Sequence, residues 1–106
     1  MNHFPKQISQ LPKFDGAFAA YKLAAEKCDV LFASYPAGTT IPEHDHDTDN
    51  LGVITQGELI LTVTGKEKRY GPGDWYHIPA NAAHAARFDV ATSEIEFWFH
   101  PAVAGR

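Results

Sequence analysis

Residues 38–57 read GTTIPEHDHDTDNLGVITQG, and this stretch decides how the rest of the chain is interpreted. At its centre is His44-Asp45-His46. Successive side chains of a β-strand point to opposite faces, so a strand here would place His44 and His46 on one face and Asp45 on the other. Two imidazoles on one face can bind one divalent ion. Pro42 lacks a backbone N–H, which is compatible with a strand start or edge just before them.

A second stretch, residues 73–84 (GDWYHIPANAAH), ends on a third histidine, His84. In order and spacing, the two stretches resemble the two signature motifs of the cupin superfamily. Every motif spacing is kept in this sequence. The first motif corresponds to Gly38, His44, His46, Asn50 and Gly57, and the second to Gly73, Pro79, Asn81, His84 and Phe88.

The sequence departs from the cupin motifs at three positions. Asn50 stands where the family usually has a metal-binding Glu, Asn81 replaces a Gly, and Phe88 replaces an Asn. The first departure bears on chemistry, because a neutral amide leaves the charge of a metal ion uncompensated. We hypothesise a three-histidine site in which Asn50 hydrogen-bonds a bound water or acts as a loose ligand. The alternative is that Asp49 reaches inward instead.

The resemblance implies that His44, His46 and His84 are the ligands of one divalent transition metal, with Asn50 as a candidate fourth ligand. Imidazole suits zinc, iron, nickel, copper and cobalt, and the resemblance adds iron and manganese. The expected metal is therefore Fe, Ni, Zn or Mn. The alternative is a metal-free barrel whose histidines are satisfied by hydrogen bonds.

His77 and Asn50 are the candidate catalytic residues. His77 alternates with Tyr76 in a short predicted strand, so it shares a face with Trp75. It is a candidate general base near the site. The alternative is a histidine that is simply packed and hydrogen-bonded. The aromatic candidates for the pocket wall, which fit a core equally well, are Tyr35, Tyr76, Phe88 and Trp98.

Many short strands with turns every eight to twelve residues predict a sandwich or barrel. The resemblance implies an all-β fold, a double-stranded β-helix or jelly-roll-like cupin barrel. We divide the chain into an N-terminal arm, residues 1–16, and a single barrel domain, residues 17–106. Residues 18–28 fit a helix and a strand about equally by pattern. The resemblance favours a strand, with a turn near residues 25–27.

The last predicted strand alternates between two kinds of side chain. We expect Ser93, Ile95, Phe97 and Phe99 to face a core. The opposite face, Glu94, Glu96, Trp98 and His100, fits a solvated surface, a dimer contact or the inside of the barrel mouth. Small cupins commonly pair through one sheet, so the resemblance implies a homodimer.

Composition narrows the classes of partner. A chain of 106 residues has room for one domain with one core. A net charge of −4 without a Lys/Arg cluster argues against nucleic-acid binding. Cys28 is the single cysteine, which fits a reducing compartment. No run reaches membrane length and the N-terminal residues lack an apolar signal core, so we expect a cytoplasmic protein without a membrane partner.

The function expected from these motifs is that of a mononuclear metal-binding cupin. An enzyme acting on a small oxygen-rich molecule, of the dioxygenase or isomerase type, is the main hypothesis. The alternative is a cupin that binds or senses a small ligand without turnover. A third interpretation is a barrel that has lost its metal. The presence of all three histidines counts against it, whereas the missing Glu at position 50 and the departure at Asn81 keep it open.

Overall fold

The computed structural model describes residues 4–16 and 18–101, so the outer ends of the predicted arm (1–3) and of the barrel domain (102–106) lie outside the described residues. Within them the chain forms one short helix and nine strands. Their bounds are α1 Lys6–Ser9, β1 Ala20–Ala24, β2 Cys28–Tyr35, β3 Thr39–His44, β4 Asp49–Gln56, β5 Leu59–Val63, β6 Lys66–Tyr70, β7 Trp75–Ile78, β8 His84–Phe88 and β9 Thr92–Phe99.

The strands form two antiparallel sheets. The five-stranded sheet has the order β1-β2-β9-β4-β7, and the four-stranded sheet has the order β3-β8-β5-β6. Apolar side chains of both sheets, among them Leu31, Ile54, Leu61 and Phe88, form one buried cluster between them. The all-β prediction is therefore confirmed. No helix in the described part of the chain is long and apolar enough to cross a membrane.

Residues 18–28, where the pattern left helix and strand open, form a strand and a turn. β1 ends at Ala24, and the Ala25 N–H donates to the carbonyl of Cys28 at 2.9 Å before β2 begins. β1 would be an open sheet edge, but the preceding chain covers part of it. The Phe14 N–H donates to the Ala20 carbonyl at 2.9 Å, and the Lys22 N–H donates to the Pro12 carbonyl at 2.7 Å.

A bend at Gly57 separates β4 from β5. Gly57 has a φ of +86°, a backbone conformation that L side chains rarely adopt. A Cβ atom at this position would also collide with the backbone carbonyl of Ala91 and with Thr92. The hydroxyl of Thr92 accepts the Glu58 N–H at 3.1 Å, which fastens the bend to the start of β9.

The face predicted for β9 is wrong. Glu94 and Glu96 point into the barrel and are only 1% and 5% exposed, whereas Phe99 is 41% exposed and Ile95 and Phe97 lie on the outer face. The prediction assumed that the more apolar face must be the buried one. In this barrel the inner face of β9 lines a cavity, where the Tyr35, Tyr76 and Trp98 donors meet its carboxyl groups. Of the three environments considered for this face, the inside of the barrel is correct.

The outer side of the five-stranded sheet is consequently rich in apolar side chains. Trp75 on β7 is 57% exposed and stacks on Phe97, with ring centroids 5.9 Å apart. We call this surface the outer apolar face. By strand register it comprises Tyr21, Leu23, Val30, Phe32, Leu51, Val53, Trp75, Ile95, Phe97 and Phe99.

Candidate metal centre

Three histidines, two at the ends of neighbouring strands and one in the loop after β3, converge at one place beside the barrel cavity. His44, the last residue of β3, lies directly opposite His84, the first residue of β8. His46 follows two residues after β3 ends. Each of the three offers a ring nitrogen, and these atoms lie within 4.8 Å of one another. The sequence therefore correctly selected the three residues that come together.

Strand alternation is not what brings His46 to the site. β3 ends at His44, and its pairing with β8 shifts register between Ile41 and His44. The chain then leaves the sheet and brings the His46 ring back, so that His44 Nε2 and His46 Nε2 are 3.1 Å apart. The backbone N–H of Asn81 donates to the His46 carbonyl at 2.7 Å and fixes this return.

The hydrogen bonds of the other ring nitrogens orient two of the imidazoles for metal binding. His44 Nδ1 lies 2.7 Å from the Pro42 carbonyl, and His84 Nδ1 lies 2.9 Å from the Ala82 carbonyl. A carbonyl oxygen only accepts, so each Nδ1 carries the hydrogen and the Nε2 lone pair is left for a metal. Metal-bound histidines are commonly held in this way.

The electrostatic surroundings also favour neutral imidazoles. Burial lowers the pKa of His46, and the neighbouring His44 and His84 lower it further. Burial likewise lowers the pKa of His84, against the opposing effect of its bond to the Ala82 carbonyl. The neutral ring is the form that binds a metal. The donor set, its tautomers and its charge state thus fit one divalent transition metal.

The histidine cluster opens onto a cavity of about 570 Å³ between the two sheets. This volume lies in the range that holds small organic ligands. The four aromatic residues considered for the pocket wall all line it, and all but Trp98 also belong to the buried cluster. Phe14 and Phe18, from the chain before β1, close one side, where Phe14 packs edge-on against Trp98 with centroids 5.7 Å apart.

Residues 31–97 match the family model for the cupin domain, and this range includes all three histidines. The chain belongs to the cupin family. Over 73 residues, this cupin is 32% identical to quercetin 2,3-dioxygenase of Bacillus subtilis (strain 168). The match covers 67% of this chain and 21% of the relative, so the chain spans about a fifth of the length of the curated relative it matches.

Solved structures show the same fold. An RmlC-like cupin from Shewanella frigidimarina NCIMB 400 matches with a TM-score of 0.78 and 20% identity, over 98% of this chain and 95% of the other. A cupin superfamily protein from Desulfitobacterium hafniense DCB-2 matches with a TM-score of 0.74 and 20% identity, over 94% of each chain. At this identity the likeness concerns the barrel.

The cupin's departure at Asn50 has a definite geometry. Asn50 is 4% exposed, lies on β4 and lines the cavity. The hydroxyl of Thr48 donates to Asn50 Oδ1 at 2.6 Å, which engages the atom that a metal would need. The amide NH₂ is a donor only and cannot ligate a cation. The structure therefore favours a hydrogen-bonding role for Asn50 over ligation.

The alternative in which Asp49 reaches inward is not what the structure shows. Asp49 Oδ1 lies 2.7 Å from His77 Nε2, and both side chains are about half exposed. Neither residue lines the cavity. His77 does share its strand face with Trp75, as expected, but that face is the outer one. A general-base role for His77 at this cavity gains no support from the geometry and stays a prediction.

The other two departures are structural substitutions. Asn81 adopts a φ of +67°, the left-handed conformation for which the family uses Gly and which Asn tolerates better than other side chains. Phe88 is 1% exposed and stacks flat on the Tyr35 ring, with centroids 4.0 Å apart and an interplanar angle of 8°. Asn81 thus preserves the turn, and Phe88 places a second aromatic side chain beside Tyr35.

A pair of buried glutamates in the cavity wall is the feature that sequence analysis missed as a site. The Tyr35 hydroxyl donates to Glu96 Oε2 at 2.5 Å, and the Trp98 indole N–H donates to Glu96 Oε1 at 2.9 Å. The Tyr76 hydroxyl donates to Glu94 Oε1. The two carboxyl groups also hydrogen-bond to each other, which requires a proton between them. The sequence did carry a signal for this pair, because Glu94 and Glu96 alternate with strong β-forming residues in one predicted strand.

Burial sets the charge of this group. It raises the pKa of Glu94 well above the usual value, and the neighbouring Glu96 raises it further. Burial also raises the pKa of Glu96, although bonds from Tyr35, Trp98 and Glu94 oppose the rise. Glu96 accepts from two neutral donors, Tyr35 and Trp98, and Glu94 accepts from Tyr76, so the charge of the pair is better stabilised on Glu96. Burial and the adjacent carboxylates likewise raise the pKa of the Tyr35 and Tyr76 hydroxyls, which remain donors.

Gly52 makes room for this arrangement. It lies on β4 directly opposite both Tyr76 on β7 and Glu96 on β9. A Cβ atom at Gly52 would collide with the Tyr76 ring. The absence of a side chain therefore lets Tyr76 lie across β4 and reach Glu94 on the strand beyond.

Proposed function

We propose that this cupin binds one divalent transition metal through His44, His46 and His84 and acts as an enzyme on a small oxygen-rich molecule, of the dioxygenase or isomerase type. The observation that carries the proposal is the convergence of three ring nitrogens within 4.8 Å at the edge of a cavity of about 570 Å³. Three protein ligands leave open positions, which a catalytic metal needs.

When bound, the metal would supply Lewis acidity and an anchor for an anionic oxygen of the ligand. The chain's own residues do the rest. The Pro42 and Ala82 carbonyls hold two imidazoles in place, and the Asn50 amide can donate to a polar group bound beside them. The aromatic walls exclude water from the apolar part of the ligand.

The absence of a carboxylate from the histidine cluster favours an anionic ligand. A +2 ion held by three neutral imidazoles keeps its full charge, so an enolate, catecholate or carboxylate oxygen would neutralise part of it. The relative from Bacillus subtilis is a quercetin 2,3-dioxygenase. A flavonol with adjacent oxygen atoms is therefore the first substrate class to try. The metal we expect is Fe, Ni, Zn or Mn.

The second candidate function is binding or sensing of such a ligand without turnover. The Thr48–Asn50 hydrogen bond favours it, because Asn50 then offers a binding contact where other cupins have an ionisable ligand. Both functions require the metal. They differ in whether the bound molecule is consumed.

Metal content decides whether the site exists. We would measure it by mass spectrometry on protein purified without a histidine tag, for the parent and for His84→Ala. His77→Ala is the matched control, because His77 lies on the outer face and does not line the cavity. We expect near-stoichiometric metal in the parent and the control and a loss in His84→Ala. A parent that takes up no metal after incubation with Fe(II), Ni(II) and Zn(II) would overturn the proposal.

Oxygen uptake then separates the two candidate functions. Metal-loaded protein would be mixed with quercetin, and then with catechols, diketones and keto acids, in an oxygen electrode. Uptake in the parent and in His100→Ala but not in His84→Ala would establish dioxygenase activity, since His100 pairs with Asp29 and does not line the cavity. Tight quercetin binding, seen by spectral shift without oxygen uptake or product, would instead favour the binding function.

We also propose that the cupin forms a homodimer through the outer apolar face. Trp75 and Phe99 expose 57% and 41% of their surfaces there, next to other apolar side chains of the same sheet. Light scattering after gel filtration would compare the parent with Trp75→Ser. Val90→Ser is the control, because Val90 is 50% exposed in the loop between β8 and β9. A dimer lost only in Trp75→Ser is expected, and a monomeric parent contradicts the proposal.

A further inference from the structure

Glu94 and Glu96 lie in the wall of the same cavity as the three histidines, without a cation to balance them. The ion pairs of the described residues involve other carboxylates, and no lysine, arginine or histidine pairs with either glutamate. Burying a carboxylate without a counter-ion destabilises a fold by about several kcal/mol, even after the protein has relaxed around the charge. Such a group is a candidate functional site when it lines a cleft.

The hydrogen bonds of Glu96 leave it able to meet a ligand. An ionised carboxylate has about four lone-pair positions. In Glu96 three donors occupy three of them: the Tyr35 hydroxyl, the Trp98 indole N–H and the Glu94 carboxyl. One position remains, and Glu96 is among the residues that line the cavity.

Trp98 links the carboxyl pair to the histidine cluster. Its indole N–H bonds Glu96, and its ring packs against the His46 ring with centroids 4.7 Å apart. Trp98 also lies opposite Asn50 in the pairing of β9 with β4. Position 50 on β4, where cupins usually carry a carboxylate, thus holds an amide. The carboxylate of Glu96 lies on the neighbouring strand β9, at the inward-facing position before Trp98.

We propose that Glu96, supported by Glu94, is the proton acceptor of this cavity and takes the hydroxyl proton of an enol or catechol ligand bound beside the three histidines. The inference rests on the proposed function for the identity of the ligand class. Glu94 is a positioning residue, because it acts through Glu96.

The step is a proton transfer without change of oxidation state. The ligand O–H bond breaks, and the electron pair stays on the ligand oxygen, which becomes an anion facing the imidazoles. A new O–H bond forms on Glu96. The carboxyl pair then carries two protons, and the reverse transfer returns one when the ligand leaves or product forms. Tyr35, Trp98 and Glu94 all donate to the charged form of Glu96, so they set how readily it accepts the proton.

4-Nitrocatechol tests the transfer, because its visible spectrum differs between its neutral and ionised forms. Zn(II)-loaded and metal-free protein would each be titrated with it across a pH series. Proton release to a weak buffer would be followed beside the spectrum. In the parent we expect the bound probe to ionise without releasing a proton, because Glu96 keeps it, whereas in Glu96→Gln each ionised probe should release about one proton. Glu67→Gln is the matched control, because Glu67 is half exposed on β6 and pairs with Arg87 at the surface, and it should behave as the parent does.

Tyr35→Phe provides a readout that a purely structural role would not move. Removing a donor to Glu96 makes its charged form less stable, so the pH above which the probe ionises without proton release should rise, while the metal content stays that of the parent. This variant carries the test if circular dichroism shows that Glu96→Gln is not folded. Equal proton release in the parent, Glu96→Gln and Tyr35→Phe would overturn the proposal, as would a parent that leaves the probe neutral.

Titration of the metal-free protein distinguishes a failure of this inference from a failure of the proposed function. Failure to bind any metal would overturn the function, and the metal-free protein would still report whether Glu96 ionises the probe. Conversely, Zn(II)-loaded parent and Glu96→Gln that release the same number of protons as the probe ionises would retain the metal site and remove the role of Glu96.

Discussion

The hydroxyl of Thr48 and the side-chain oxygen of Asn50 are joined by a hydrogen bond of 2.6 Å at the entrance to β4. This contact fixes the orientation of the amide. It turns the position where cupins usually hold a metal ligand into a hydrogen-bond donor facing the cavity. The metal affinity and the ligand preference of the site should both depend on it.

Restoring a carboxylate at position 50 should strengthen metal binding. We expect Asn50→Glu to raise Zn(II) affinity about tenfold or more, the scale on which changes around a metal site act. A competition titration with a chromogenic chelator measures this. Asp49→Asn is the matched control, because Asp49 is half exposed and bonded to His77. Equal affinity in the parent and Asn50→Glu would mean that position 50 does not face the ion.

The buried carboxyl pair should make stability depend on pH. The folded-state pKa of Glu94 is raised, so the folded protein holds a proton that the unfolded chain has lost above a pH of about 4.5. This contribution is present below the ordinary glutamate pKa and is lost as the pH rises towards the raised value. Thermal unfolding across this range measures it.

Glu94→Gln should remove that dependence. The amide is neutral at every pH, so the Tm of the variant should rise relative to that of the parent as the pH increases. We expect a difference of several degrees, since 1 kcal/mol shifts Tm by about 4–8 °C in a domain of this size. Glu67→Gln is the control, since Glu67 is half exposed on β6 and pairs with Arg87 at the surface. A constant Tm difference between parent and Glu94→Gln would contradict the charge assigned to the pair.

Phe88 should be important for stability and for the position of Tyr35. Phe88→Ala removes a fully buried ring that stacks on Tyr35, and we expect it to lower the free energy of unfolding by about 3–5 kcal/mol. Urea denaturation measures the loss. Val90→Ala, at a half-exposed position in the following loop, should change it by less than about 0.5 kcal/mol. Similar losses at both positions would be inconsistent with the stacking described.

Asn81 should be replaceable by Gly but not by Ala. Its φ of +67° costs an ordinary L residue about 1–2 kcal/mol. Asn81→Gly should therefore be at least as stable as the parent, and Asn81→Ala less stable by about that amount. Thermal unfolding of the three proteins compares them. If Ala were tolerated as well as Gly, the turn that holds His46 would have to adopt another conformation.

The motif spacing predicted the histidine cluster because it specifies which strand ends meet. His44 and His84 are opposite each other in a strand pair, and a barrel with this strand order places them so. The strand over residues 20–24 was predicted from the resemblance alone, because its own pattern fits a helix about equally well. The short helix α1 was not predicted, because four residues leave no periodic pattern.

The orientation of β9 could not be predicted from its own residues. Ile95, Phe97 and Phe99 satisfy the rule that apolar side chains face the core, and Glu94 and Glu96 violate it. The violation is compensated by Tyr35, Tyr76 and Trp98, two of which come from other strands. Only the register of β9 against β2 and β4 shows that these donors meet the carboxyl groups, and register is a property of the whole sheet.

The same alternation has a consequence for folding. A slip of β9 by one residue would exchange its two faces, placing Ile95 and Phe97 inside and both glutamates outside. By hydrophobicity alone the slipped pairing competes well with the native one. Hydrogen bonds from Tyr35 and Tyr76 stabilise the native register only, since both tyrosines face the cavity and would not meet the carboxyl groups after a slip. The buried glutamates therefore also determine the register of β9, and with it which of the two pairings closes the barrel.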